Sequence, residues 1–185
     1  KKRIVGNLTL PPSQEYLGQQ IDNVVEAYNL ILERVMKKNA PPYSVELVND
    51  YNRIVLKNLE LDEDVIPGEI RDYNVTVGRY LGAPPKECEY LLSKLCDWIN
   101  SPLPLIKGFE VSIEILRAII AHIYIAWIHP YGDGNGRTAR LIEFDILFRA
   151  GVPDVSAHIL SNHYNKTRDE YYRQLQNSHS SGGDI

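Results

Sequence analysis

The chain has 185 residues, 44% of them hydrophobic and 24% charged, which suits one domain with its own core and requires no second one. A formal net charge of −4 excludes a global attraction to nucleic acid or to an anionic membrane, so a polyanion would have to be held by a local site. No uninterrupted apolar run reaches the length of a membrane span, and Lys1-Lys2-Arg3 is not followed by a signal-like apolar core, so the expectation is a cytosolic protein.

Residues 1–16 read as an irregular N-terminal arm, because Pro11-Pro12 opposes helix formation. From about Leu17 to Lys38, the residues Ile21, Val24, Val25, Tyr28, Ile31, Leu32 and Val35 recur at helical spacing, and Pro41-Pro42 closes the segment. Ser44 then caps a second helix to about Leu59, with Leu47, Val48, Tyr51, Ile54 and Val55 on one face. Asp62-Glu63-Asp64 reads as a solvated loop. After Pro67-Gly68-Glu69-Ile70-Arg71, the residues Tyr73, Val75 and Val77 alternate with Asn74 and Thr76, the period of a strand, and Gly78 and Gly82 permit a hairpin. Pro84-Pro85 ends it, and Leu91, Leu92, Leu95, Trp98 and Ile99 mark a third helix up to Asn100. Cys88 and Cys96 are too far apart along that helix to bridge and lack metal-ligand spacing, so they read as reduced packing residues.

Ser112 is placed to cap a helix carrying Leu116, Ile119, Ile120, Ile123 and Trp127, and Pro130 steers His129 away from helical geometry. His122, on the same helix, reads as a hydrogen-bonded core histidine, since two imidazoles without a third ligand do not make a zinc set. Arg140, Leu141, Phe144, Leu147 and Phe148 define the next helix, stopped by Gly151 and Pro153. A last helix from about Ser161 to Gln176 places Tyr164, Tyr171, Tyr172 and Leu175 toward the core or a pocket. The predicted architecture is all-α with one small β-hairpin.

Between the two central helices, the stretch from His129 to Arg140 holds a base, one carboxylate, three glycines and two guanidiniums. The first amides of a helix lack internal partners and carry the positive end of its dipole, so a glycine-rich turn feeding a helix is an anion cradle. Gly132, Gly134 and Gly136 can take positive φ and let the backbone curl toward a phosphate. Arg137 and Arg140 fall on one side of the helix and could grip further oxygens, while Asp133, the one acid in the loop, with substrate phosphates could hold Mg²⁺. His129 is left as the proton acceptor. The loop has no GxxxxGK[ST], and its Gly-x-Gly-x-Gly follows a helix rather than a strand, which argues against a P-loop and a dinucleotide fold.

The stretch resembles the Fic signature, HxFx[DE]GNGRxxR, with Tyr131 in place of the usual Phe. The resemblance implies a Fic-type helical domain that transfers AMP from Mg²⁺-bound ATP to a hydroxyl of a target protein. It implies that His129 deprotonates that hydroxyl, Asp133 holds Mg²⁺, Asn135 with the Gly134 and Gly136 amides holds the α- and β-phosphates, Arg137 assists catalysis there, and Arg140 takes the γ-phosphate. Val75, Thr76, Val77 and Gly78 match a hairpin flap that aligns the target as an added strand, a mode that reads little side-chain identity. Tyr172 and His179 match the place of the adenine pocket. Ile4 to Leu10 resembles the inhibitory [ST]xxxEGN segment, with Lys1 at the Ser/Thr position and Val5 at the Glu position, so the acid that would pair with Arg140 is missing. Transfer of another nucleotide or phosphate-containing group, and an ATP-binding regulatory module of a toxin–antitoxin type, are the competing expectations. A homodimer or an inhibitory partner stays open, and neither nucleic acid nor membrane is expected as a partner.

Overall fold

The computed structural model describes residues 12–77, 80–102, 106–157, 163, 164 and 166–181. Helix α1 spans Pro12–Met36. It therefore begins inside the stretch expected to be an irregular arm: Pro12 sits in the first turn, where its missing N–H would have no partner and its fixed φ already suits a helix. Helix α2, Val45–Leu56, is capped as expected, the Ser44 Oγ accepting from the Leu47 N–H at 3.2 Å. The buried Asn23 of α1 donates to the Lys57 carbonyl at 2.7 Å and the Val55 carbonyl at 3.3 Å, which closes the C-terminal end of α2.

The hairpin is short. Strand β1, Thr76–Val77, pairs antiparallel with β2, Tyr80–Leu81, in the register Thr76 with Leu81 and Val77 with Tyr80, and the Gly82 N–H extends the ladder to the Val75 carbonyl. Gly78, at the expected tip, lies outside the described residues. Helix α3 follows at Pro85–Asn100, with both of its cysteines buried and free.

Helices α4, Glu110–Ile128, and α5, Asn135–Arg149, form the centre. The Ser112 cap is not used: α4 starts earlier, after Phe109, where the Glu110 carboxylate accepts from the Gly108 N–H. Nor is its buried face the expected one. The core side carries Ala118, Ala121, His122, Ile125, Ala126 and Ile128, whereas Leu116 is 59% exposed and Ile120 also lies outward. The alanines let α5 approach closely, and α5 in turn buries Ala139, Leu141, Ile142, Phe144, Ile146 and Leu147. Among the described residues, α4 is the one helix long and apolar enough, by length and composition, to cross a membrane, although Glu114, Arg117 and His122 interrupt its apolar run. Helix α5 ends at Gly151, whose φ of 85° few other residues adopt, and a short α6, Asp154–Ala157, follows. The tyrosine helix α7 spans Arg168–Ser181 and runs past the expected end, and His163, Tyr164 and Lys166 before it are also helical.

Candidate active site

Helix α4 delivers His129 at its C-cap with φ 49° and ψ 58°, a left-handed conformation that costs a non-glycine residue about 1–3 kcal/mol unless its surroundings enforce it. Two sets of contacts do so. Its own N–H still bonds the Ile125 carbonyl at 2.9 Å. Arg71, only 5% exposed, donates from Nε to the His129 carbonyl at 2.8 Å and from Nη2 to the Ala83 carbonyl at 2.7 Å, while its N–H bonds the Pro130 carbonyl at 3.0 Å. Nη1 donates to the Tyr73 carbonyl. One guanidinium thus ties the C-terminal end of α4 to both arms of the hairpin, and the negative end of the helix dipole meets its charge. Gly82 completes the junction: a Cβ there would lie 3.2 Å from the His129 Cβ and 2.9 Å from Arg71 Nη2.

The imidazole Nδ1 lies 3.3 Å from the Ala126 carbonyl, an arrangement that makes Nδ1 the protonated nitrogen and leaves Nε2 as acceptor. Burial holds the His129 pKa below its ordinary value, with the Arg71 charge acting in the same direction; the Ala126 bond and Asp133 oppose them. The imidazole is therefore neutral at neutral pH, as a proton acceptor must be.

The loop is built from inside. Gly134 caps α5 at φ 78° with no side-chain hydrogen bond, and the first helical bond runs from the Thr138 N–H to the Gly134 carbonyl at 2.8 Å. The N–H groups of Asn135, Gly136 and Arg137 therefore form an uncapped helix start. Among the three glycines, Gly134 alone has the anticipated positive φ. Gly132 instead makes room, since a Cβ there would fall 2.2 Å from the Tyr73 hydroxyl.

The side chain of Asn135 turns inward, accepting from the Tyr131 N–H at 3.0 Å and donating to the Tyr131 carbonyl at 2.8 Å. The side chain thus closes the loop, and its backbone N–H stands with those of Gly136 and Arg137 at the start of α5. Tyr131 is buried and donates to Asn49 at 2.7 Å, so the hydroxyl that distinguishes it from Phe has a partner. Asn52 of α2 braces the turn from behind, giving its amide to the Asp133 carbonyl at 3.0 Å and accepting from the Gly68 N–H at 2.9 Å.

The two arginines diverge rather than grip together. Arg137 Nη2 meets Asp133 Oδ2 at 3.0 Å, and its Nη1 donates to the Val55 carbonyl at 3.2 Å. Arg140 lies over the loop, its Nη1 3.5 Å from where a Gly136 Cβ would stand, and makes no hydrogen bond or ion pair among the described residues. Asp133 receives the Gly134 N–H on its other oxygen and remains partly exposed. Among the described residues no three His, Cys, Asp or Glu side chains cluster as a metal cage. One partly exposed carboxylate, already bonded to Arg137 and the Gly134 N–H, beside an uncapped helix start nevertheless fits Mg²⁺, which takes one or two carboxylates together with substrate phosphates.

Beyond Arg140 stand the tyrosines. Tyr171 is close enough for the Arg140 charge to lower its pKa against the larger upward push of burial, which leaves it at about 12. Its ring meets that of Tyr172 at 5.2 Å, and Tyr172 is 47% exposed. His179, expected past the helix end, lies within α7, and its side chain is outside what is described. In the hairpin, Thr76 pairs with Leu81, and the Val75 carbonyl accepts from the N–H of Gly82, the glycine at the His129 junction.

Arg71, Asn52 and the buried Glu143 were not assigned a role from sequence, although each is polar within or beside an apolar run, a pattern that marks a buried polar contact as readily as an exposed face.

Fold and loop together define a helical domain with a helix-start anion site next to a neutral histidine. The chain matches the Fic/DOC family over residues 42–147 and belongs to it. It is 34% identical over 141 residues to the protein adenylyltransferase fic-1 of Caenorhabditis elegans, covering 76% of this chain and 25% of that protein. To the protein adenylyltransferase Fic of Culex quinquefasciatus it is 33% identical over 138 residues, 70% of this chain and 25% of that one. The solved structure of residues 134–508 of C. elegans Fic-1 superposes with a TM-score of 0.68 at 26% identity, covering 92% of this chain and 46% of that one. The chain thus spans about a quarter of the length of these curated relatives.

Proposed function

We propose that this domain transfers AMP from ATP to a hydroxyl side chain of a target protein, releasing pyrophosphate. The observation that carries the reading is the juxtaposition, at one turn of chain, of an uncapped α5 start, an Arg140 over Gly136 that has no hydrogen bond or ion pair among the described residues, and a neutral His129 whose Nδ1 faces the Ala126 carbonyl. Relatives named protein adenylyltransferase support it.

The α5 amides and Gly134–Gly136 bind the α- and β-phosphates, and Arg140 receives the γ-phosphate. His129 Nε2 takes the proton of the incoming hydroxyl as its oxygen bonds the α-phosphorus; the bond from that phosphorus to the bridging oxygen breaks, and pyrophosphate leaves with its electrons. Asp133, together with the phosphates, would hold Mg²⁺, which would supply positive charge where negative charge develops. Arg137 keeps Asp133 oriented and adds its own charge at the loop. By the family resemblance, the segment Val75 to Gly78 would align the target as an added strand, and Tyr172 with His179 would take the base. Neither nucleic acid nor a membrane surface enters this reading, and a cytosolic setting suits two cysteines that stay reduced.

ATP labelled at the α- or at the γ-phosphate, incubated with the protein, Mg²⁺ and cell lysate, separates the outcomes. Protein-bound α-label without γ-label, lost in His129→Ala, supports the reading; γ-label points to phosphotransfer, and nucleotide binding without any covalent product to a regulatory module.

A further inference from the structure

Behind Arg140 lies a second polar constellation that takes no part in the chemistry at His129. His122 of α4 and Glu143 of α5 are 2% and 1% exposed, and Nδ1 of the first meets Oε2 of the second at 3.1 Å. The Tyr164 hydroxyl donates to Glu143 Oε1 at 2.9 Å, and the Tyr171 hydroxyl lies 2.8 Å from His122 Nε2. The His122 ring packs edge-on against both phenol rings, at 5.0 Å from Tyr164 and 5.7 Å from Tyr171.

Donors and acceptors balance in one directed arrangement. With Glu143 ionised, Tyr164 O–H and His122 Nδ1–H each donate to one carboxylate oxygen, and Nε2 accepts from Tyr171 O–H. Every polar atom of the buried pair then has a partner, so the carboxylate can sit in the core, where an unpaired one could not. The chain of bonds crosses from α4 and α5 to the tyrosine segment and ends on Tyr171. That ring touches Tyr172, and Tyr171 feels the charge of Arg140 one turn before Glu143.

We infer that His122 and Glu143 are positioning residues for the base end of the nucleotide: they hold Tyr171, and through it Tyr172, at a fixed distance from the phosphate cradle and so set affinity and selectivity for the base. This inference rests on the nucleotide-binding reading of the same site. It predicts a loss confined to the base, because Arg140 and the α5 amides do not depend on this network.

The test compares full-chain wild type with Glu143→Gln and with the milder Tyr171→Phe, which removes a single hydroxyl and keeps the test open if the first variant unfolds. Calorimetry measures the Kd of ATP, of CTP and of inorganic tripolyphosphate, a base-free probe of the cradle, and label transfer gives KM and kcat. Expected is a rise of about tenfold in the ATP Kd and KM, the effect of one lost hydrogen bond to a charged or buried partner. The preference for ATP over CTP should narrow, while tripolyphosphate binding and kcat stay within about twofold, the scatter expected of an uncoupled site. A parallel loss for tripolyphosphate and ATP would make the network merely structural and overturn the inference, as would unchanged ATP affinity in Tyr171→Phe. Wild type that binds tripolyphosphate but not ATP would overturn it as well, and wild type that binds neither would overturn the nucleotide reading itself.

Discussion

Arg71 is the sharpest place to test how the site is held, because a single buried guanidinium serves several carbonyls at once. Its side chain reaches His129 O at 2.8 Å, Ala83 O at 2.7 Å and Ile128 O at 3.4 Å, as well as the Tyr73 carbonyl. Arg71→Met keeps most of the aliphatic stem and removes every donor. Each buried carbonyl left without a partner costs about 1–3 kcal/mol, partly offset by no longer burying a charge, so a net loss of about 3 kcal/mol is expected. For a domain of this size that corresponds to a Tm lower by about 6–12 °C.

The left-handed turn at His129 would also lose its outer support, and a shift of about 1 Å in the base costs about 10²-fold in rate. A third signature is independent of both. The Arg71 charge helps to hold the His129 pKa down, so its loss moves that pKa up and the acid limb of the rate profile toward higher pH. Arg71→Lys should restore part of the Tm but little of the rate, because one ammonium cannot reach carbonyls on the hairpin and on α4 with a fork's geometry. Thermal unfolding, and α-label transfer measured below the variant's Tm, check the argument. An Arg71→Met protein with wild-type Tm, rate and pH profile would refute it.

His129→Ala should lower transfer by about 10²–10⁴-fold, the span of a general base, with ATP affinity retained when measured by calorimetry. Because burial keeps the folded-state pKa of His129 below 6.5, wild-type transfer should fall on acidification only below that value; a limb centred above 6.5 would contradict the neutral-imidazole assignment. The same shift makes folding stability fall as pH drops from 6.5 toward the folded pKa, where the unfolded chain binds the extra proton, and level off below it; urea titrations across that window measure the slope. Gly134→Ala places a Cβ 2.9 Å from Asn52 Nδ2 at a φ of 78° and should destabilise by about 2 kcal/mol in urea unfolding. Val5→Glu, which restores the acid of the inhibitory segment, should depress α-label transfer while sparing Arg140→Ala, and equal inhibition of both proteins would sink that alignment.

The motif from His129 to Arg140 was legible because its chemistry demands fixed residue types at fixed spacing, and periodicity located the helices that present it. What periodicity could not do was choose the buried side of α4. With Leu116, Ile119, Ile120 and Ile123 on one side and Ala118, Ala121, Ile125 and Ala126 on another, there is little polar contrast, and the close fit to α5 selects the alanines. The start of α1 was misplaced because proline opposes a helix interior but suits its first turn. Asn135 has the right type for a phosphate ligand, yet its side chain is consumed within the loop, and only coordinates reveal which way an amide turns. Arg71, Asn52 and Glu143 act across 58, 81 and 21 residues of sequence, and no local pattern announces such partners.

These long-range contacts explain why so compact a signature suffices. A helix that ends in a base and a helix that begins in free amides place acceptor and cradle within one turn of chain, with the dipole of α5 favouring the phosphates. The turn cannot hold that geometry alone, since it contains two left-handed residues, His129 and Gly134, and few internal bonds. Rigidity comes from behind: Arg71 fixes the base side to the hairpin, Asn52 fixes the cradle to α2, and Asn135 stitches the loop to Tyr131. Arg140 is left without a described partner over Gly136, so its charge is uncommitted until an anion arrives. The supports are spent on shape, while Arg140 and the first α5 amides are left, among the described residues, for the substrate of the proposed reaction, a division that lets the site be both preorganised and unsatisfied.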